Sequence, residues 1–293
     1  MALSRGALFD PVVVKDLINK VRGHSSLAVL SEQTPLSFNG NKEFVFSFDN
    51  EVDIVAEEGA KAHGGVSVTA KTIVPIKFEY GARVSDEFMY AAEEEQLQIL
   101  MAFNDGFARK IARGFDIAAF HGLNPRSGSA STVVGTNHFD SQVSQTVTYV
   151  AASVDSNIED AIALVDAHEY DCNGMAMAPA CRSALAALTN NNGKLYPELA
   201  WGNNPGTVNG LPIDVNSTVA FGTNTKDRAI VGDFANCFRW GYAKEIPLRV
   251  IEFGDPDNSG ADLAGHNQVY LRAEIYLGWA IMDPTAFARV VTA

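Results

Sequence analysis

Residues 64–72, GGVSVTAKT, stand one letter from a nucleotide-binding loop: Gly65 to Thr72 follows G-x-x-x-x-G-K-[ST] except that Ala70 replaces the second glycine. Such a loop holds phosphate because glycine lets the backbone amides turn inward and a helix begins at the Lys-Thr pair. Here Ala70 removes that glycine, and Val66 and Val68 favour an extended chain. Lys71 leads into Ile73, Val74 and Pro75, a run that opposes a helix. The stretch is expected to be a strand, not a phosphate site.

Two further stretches carry reactive residue types. DAHEYD brings Asp166, His168, Glu169 and Asp171 together, groups able to ligate a metal, yet no second cluster containing His or Cys completes a site. It reads as the solvated end of a helix. RSGSAS (126–131) offers serines in a loop but lacks G-x-S-x-G and follows a helix instead of a strand, so a flexible linker is expected. The six histidines show no H-E-x-x-H, and no G-x-G-x-x-G joins a strand to a helix. Catalytic residues, cofactors and metals are therefore not expected. Cys172, Cys181 and Cys237 are odd in number and without CxxC spacing, which reads as free thiols made in a reducing compartment.

The chain's 293 residues suffice to bury a core, and a 47% hydrophobic, 19% charged composition excludes disorder. The 22 basic against 35 acidic side chains give a net charge of -13, which argues against an autonomous reader of nucleic acid. No apolar run approaches the ~18 residues that span a bilayer. Asp10, Pro11, Lys15 and Asp16 interrupt any signal-peptide core after Arg5, so a membrane is not expected among the partners.

The elements follow from periodicity. DPVVVKDLINKVRG (10–23) predicts a short helix with Asp10 as N-cap and Pro11 at its first position. KEFVFSFDN alternates about Phe44, Phe46 and Phe48 as a strand does. TIVPIKFEYGARVS sets Ile76, Phe78, Tyr80, Ala82 and Val84 against Lys77, Glu79 and Arg83. These two runs, with the polar EEGAKAHGG between them, predict a long protruding β-hairpin. From Ser85 a helix is expected to run to Gly122, roughly 50 Å at 1.5 Å per residue, with Leu97, Leu100, Met101, Asn104, Ala108, Ile111, Phe115 and Ala118 on one face. A second helix is expected over NIEDAIALVDAHEY, capped by Asn157, and a third over PACRSALAALT with Pro179 at its first position. GMAMAP, GLPIDV, RAIVGDF, CFRWGYA, PLRVIEF and NQVYLRAEIYLGWAIMDP read as strands. The fold class is α+β. A two-stranded ribbon is marginal alone in water and offers open edges, so another copy of the chain is expected to cover it.

In this order the elements resemble the major capsid proteins of tailed bacteriophages, the Hong Kong ninety-seven capsid fold. VDIVAEEGAKAHGGVSVTAK resembles the family's extended loop, VSDEFM the entry to its spine helix, and RGFDIAAFHGLNP its D-x-A-x-x-x-G helix end. NGKLYP, VNGLPIDV, VGDFANC and LRAEIYLGWAIMDPTAFARV extend the match from about residue 40 to the C-terminus. The resemblance implies an N-terminal arm (1–40), an extended loop (41–80), a peripheral domain with the spine helix (81–138), an axial domain (139–245), peripheral return strands (246–278) and an axial return (279–293). It implies a virion protein, assembled in the host bacterial cytoplasm, that forms pentamers and hexamers of an icosahedral shell. The implied partners are the chain itself, a scaffolding protein, a portal, cement proteins and non-specifically packaged DNA. Some relatives begin with a long scaffolding segment that is cleaved; the short arm here points to a separate scaffold or a processed boundary. Two rivals are an encapsulin-type nanocompartment enclosing protein cargo and an enzyme using the 166–171 cluster.

The resemblance also implies a covalent step. In the crosslinking prototype of the family a loop lysine joins an asparagine of a neighbouring subunit, assisted by a glutamate seven residues after it. Lys61, Asn267 and Glu274 stand at the matching positions. Lys61 would be the nucleophile and a desolvated Glu274 the base that takes the amine's protons. The same residues also read as a solvated loop tip, a turn residue and a strand carboxylate paired with an arginine.

Overall fold

The computed structural model describes residues 25–90, 93–222 and 226–293, so the helix expected over 10–23 lies outside them. The first elements are a short helix α1 (Ser26–Leu30) and strands β1 (Asn41–Phe48), β2 (Val66–Ile73) and β3 (Ile76–Ser85). A 3-10 turn then leads into the long helix α2 (Glu93–His121). Beyond it come α3 (Phe139–Gln142), β4 (Thr146–Thr148), α4 (Val154–Asp166), β5 (Gly174–Met177) and α5 (Pro179–Ala187). A two-residue hairpin, β6 (Thr189–Asn190) and β7 (Gly193–Lys194), precedes β8 (Thr207–Val208), β9 (Leu211–Val215) and β10 (Asp227–Gly232). The chain closes with α6 (Phe234–Cys237), β11 (Phe238–Ile251), β12 (Gln268–Ile281) and β13 (Phe287–Val291).

Two sheets carry the architecture. A three-stranded antiparallel sheet, β11-β12-β3, lies under the C-terminal half of α2. The helix presents Phe107, Ile111, Phe115, Ala118 and Ala119 at the three-four spacing that makes one face of an α-helix continuous. Against it stand Val269, Leu271, Ala273, Ile275, Leu277 and Trp279, every second residue of β12. A six-stranded mixed sheet, in the order β4-β13-β10-β5-β9-β8, forms the second body. Its central strands are buried on both faces. Met175, Met177, Ala229, Val231, Ala288 and Val290 meet α4 and α5, while Ala176, Ile230 and Phe287 belong to the core under α2. That double burial is why these strands read as unbroken apolar runs instead of alternating ones.

Several sequence expectations change. β1 pairs with β2 over its whole length, Phe48 opposite Val66 through Asn41 opposite Ile73. β3 is not the second arm of that ribbon but an edge of the three-stranded sheet, paired with β12 from Ile76–Leu277 to Ser85–Gln268. Pro75 separates the two, since it cannot donate to a ladder. Asn157 is not a helix cap: α4 starts at Val154, and Asn157 turns its Oδ1 back to accept from the Val150 amide at 2.7 Å. CFRWGYA and PLRVIEF are one strand, with register shifts between Tyr242 and Lys244 and between Ile246 and Arg249; the second absorbs Pro247. RSGSAS is a compact turn, closed by Asn124 N to Ser129 O and Gly128 N to Asn124 O, both 2.8 Å. Met101 is exposed rather than on the buried face of α2, which Phe107 occupies instead. The α-helix begins after a 3-10 turn, Asp86–Tyr90, where Ser85 Oγ accepts from the Glu87 amide.

The position of β3 makes its apolar face part of the subunit's own core. Phe78 lies opposite Ile275, near the Trp279 ring, and beneath Gly114, where an added Cβ would come within 3.9 Å of it. Phe78→Asp is expected to destabilise the subunit by about 3 kcal/mol through lost burial and an unpaired charge. Urea unfolding of the isolated subunit measures this, and an unchanged midpoint would refute the register.

Candidate functional site

The β1–β2 ribbon leaves the body of the subunit almost at once. Its root is held by Ile73, fully buried beside Leu36 and Ala280. Two glycines make that docking feasible. A Cβ on Gly241 would lie 1.8 Å from the Thr34 carbonyl, and one on Gly278 would press on Ile73 at 3.1 Å. Beyond the root the ribbon has no cover among the described residues of its own chain. Phe44, Phe46 and Phe48 are 69%, 56% and 73% exposed, opposite Ala70, Val68 and Val66, so one whole face is apolar and bare. The loop beyond, closed by Gly65 N donating to Asp49 Oδ1 at 2.6 Å, adds Val52 and Ile54, both more than nine-tenths exposed. A contiguous patch of this kind marks a surface that another chain covers.

Lys61 lies in that exposed loop, in the same long segment as the strand-forming GGVSVTAKT, whose residues 66–72 form most of β2. Asn267 sits just before β12 in a left-handed conformation (φ 52°), its carbonyl accepting from the Asp86 amide at 2.9 Å. Asparagine tolerates that backbone better than most side chains. Its approach is braced by Arg83. One guanidinium nitrogen meets Asp255 Oδ1 (2.8 Å), Asp257 Oδ1 (2.5 Å), Ser259 Oγ (2.5 Å) and the Ala261 carbonyl (2.8 Å), while another meets Gln268 Oε1. Arg83 thus plays the part of a cation inside an oxygen-lined turn, and it holds the Asp257 carboxyl well below the usual carboxylate range.

Glu274 is buried mid-strand on β12, between Glu79 of β3 and Ile246 of β11. Its partner is Lys77 Nζ at 2.5 Å, a lysine and not the arginine expected, and this hydrogen bond raises the Lys77 pKa. The subunit therefore does not gather its three candidates. Asn267 and Glu274 are seven residues apart along an extended chain, roughly 23 Å, and Lys61 is on the projecting loop.

The 166–171 cluster is exposed at the end of α4, with Glu169 in a left-handed turn (φ 62°). The grouping of metal-ligating side chains present among the described residues is a different one, His121, Asp140 and Asp227, which sequence inspection missed because its members are 19 and 87 positions apart. The three cysteines are free thiols, and burial pushes Cys181 up to about 12, an inert state. Among the described residues no helix is long and apolar enough to cross a membrane.

A two-body α+β subunit with a long helix across its sheet and a bare apolar ribbon has the layout of a shell-building structural protein. The comparisons agree. The phage capsid family model matches residues 6–292, and the chain belongs to that family. It is a major capsid protein, a component of the virion that assembles with its own copies into a shell. Its structure is similar to that of a protein of Mycobacterium phage Ogopogo, with 30% identity, 92% of each chain covered and a TM-score of 0.79. A protein of Gordonia phage Cozz shares 28% identity over 92% of this chain and 87% of that one, at a TM-score of 0.77. The capsid of an empty GTA particle shares the fold at 17% identity and a TM-score of 0.64, covering 92% of this chain and 90% of that one. These matches do not favour the nanocompartment reading. No curated protein sequence matches the chain.

Proposed function

We propose that the chain forms pentamers and hexamers that tile an icosahedral shell around double-stranded phage DNA. Residues 1–40 serve as the arm, 41–75 as the extended loop, 76–138 with 246–278 as the peripheral domain, and 139–245 with 279–293 as the axial domain. The observation that carries this reading is the bare ribbon: a face of three phenylalanines and two valines is stable in water only beneath a neighbouring subunit. Assembly in the bacterial cytoplasm would use a scaffolding protein, with a portal at one vertex and cement proteins outside. The net charge of -13 fits DNA driven in by a motor and neutralised by counterions, not DNA bound tightly. Negative-stain microscopy of the chain expressed with its scaffold should show closed shells; a stable folded monomer at high concentration would overturn the proposal.

The covalent step belongs to the same reading. The Lys61 amine would attack the Asn267 side-chain carbonyl of a neighbour, forming an isopeptide bond and releasing ammonia, with Glu274 accepting the amine's proton. Because about 23 Å of strand separates Asn267 from Glu274, the glutamate must come from a different copy than the asparagine. Three subunits would then meet at each bond, and Glu274 would have to exchange its Lys77 partner during assembly. Boiled, reduced particles should run as a ladder on a denaturing gel, collapsing to one band near 31.5 kDa in Glu274→Ala. A single band from wild-type expanded particles rules the step out.

A further inference from the structure

At the C-terminal end of α2 the helix meets the six-stranded sheet through a buried polar cluster that shell formation does not explain. His121 is 5% exposed, and its Nε2 faces the Thr218 carbonyl at 2.9 Å. A carbonyl only accepts, so Nε2 carries the proton and a neutral ring turns its Nδ1 lone pair the other way. That lone pair points at Asp140 Oδ2, 2.9 Å away on α3, and lies 3.7 Å from Asp227 Oδ2 on β10. The three donor atoms lie within 4.8 Å of one another. Arg289 on β13 braces the far side of both carboxylates, Nε to Asp227 Oδ1 at 2.9 Å and a terminal nitrogen to Asp140 Oδ1 at 3.0 Å. Asp227 is fully buried, and its Oδ2 has no hydrogen-bond partner among the described residues.

With the ring neutral, two carboxylates and one guanidinium leave one negative charge in a buried place, which either a proton or a bound cation would offset. A single proton does this poorly. Placed on Nδ1 it bonds to Asp140 and leaves Asp227 Oδ2 unpaired. Placed on Asp227 it can reach Asp140, but the Nδ1 lone pair then faces Asp140 Oδ2 at 2.9 Å with nothing between them. A metal ion satisfies all three donors at once. Tetrahedral zinc, with ligands about 2.0–2.1 Å away, sets its donors about 3.3 Å apart, and the 2.9 and 3.7 Å separations bracket that value. Each donor is also already oriented from behind, His121 by a carbonyl and both aspartates by Arg289, as ligands of a built site are.

We propose that His121, Asp140 and Asp227 form a structural site for a divalent metal ion of the zinc class, pinning the end of α2 to the six-stranded sheet. The half-open side of Asp140, 24% exposed, is the entry and leaves the fourth position to water.

The test uses the full chain, as assembled shells or purified subunits, stripped with a chelator and dialysed against zinc chloride. Elemental analysis should return about one zinc per chain, and zinc at a hundredfold excess over its Kd should raise Tm by roughly 4 °C. Cobalt(II) in its place should give the visible absorption of a four-coordinate nitrogen–oxygen site, a readout that needs no variant. Asp227→Asn and His121→Gln should each abolish the stoichiometric zinc and its Tm shift. The proposal is overturned if wild-type protein retains no zinc and its Tm ignores it, in which case a proton completes the cluster. It is equally overturned if binding survives Asp227→Asn, which would place the zinc elsewhere.

Discussion

Replacing Asp116 by alanine is expected to lower the stability of the subunit by about 4 kcal/mol, a large share of the roughly 5–15 kcal/mol that a folded domain has. Asp116 sits on α2, fully buried, and accepts five hydrogen bonds. They come from the Ser25 hydroxyl, the Ser26 and Leu27 amides (3.0 and 3.4 Å), Asn216 Nδ2 (3.1 Å) and the Thr218 hydroxyl (2.9 Å). Its carboxylate thus satisfies the amides that open α1, whose Leu27, Ala28 and Leu30 fill the core under the spine helix. Alanine strands five donors at once, so α1 should detach and the chain near Ser31 to Gly40 become cleavable by protease. Asp116→Asn keeps the shape but turns a donor toward other donors, and should recover less than half the loss. Burial pushes the Asp116 carboxyl up to about 6, although the five donors oppose it. The folded chain therefore holds this proton more tightly than the unfolded one. The resulting stability is complete below about pH 4, fades as pH rises towards 6, and this slope should vanish in the asparagine variant. Urea midpoints across that range measure both effects; a loss under 1 kcal/mol for alanine would show that the network is not what holds α1.

The second large effect falls on assembly and spares the fold. Phe44, Phe46 and Phe48 changed together to serine remove three rings that the subunit itself leaves bare. At about 2 kcal/mol per buried ring, each loop contact in the shell would lose about 6 kcal/mol, a factor of more than 10⁴ in association. Shells should be absent from sedimentation profiles and micrographs at concentrations where wild type assembles. The melting of the isolated subunit should stay within about 1 kcal/mol of wild type, as for surface changes generally. Intact shells from this variant would mean that the ribbon's apolar face is not an interface. The contrast with Phe78→Asp is informative, because that ring lies in the subunit's own sheet and its loss should be seen before any assembly.

Much was legible from periodicity alone. The alternation of β12, the three-four face of α2, the turn residues about GMAMAP and PACRSALAALT, and the strand character of GGVSVTAKT are local properties. They depend on which side chains lie two, three or four positions away, and those distances are written in the chain. The capsid architecture followed from the order of such elements, and Asp116 already stood in the D-x-A-x-x-x-G run at the helix end.

What the chain order left open was pairing across distance. Two apolar strands, β2 and β3, follow β1 with nearly the same alternation, and only the docking of β3 against β12, where Glu79 meets Glu274 195 positions on, decides which of them the ribbon receives. The buried chemistry is likewise tertiary. Ser25 reaches Asp116 across 91 positions, Thr218 across 102, and Arg289 reaches Asp227 across 62. A lone Asp or His in sequence carries no mark of burial, since its cost is met by partners that only the folded chain brings within 3 Å. Local spacing determined the elements; the need to satisfy buried polar groups and cover apolar faces decided how they meet.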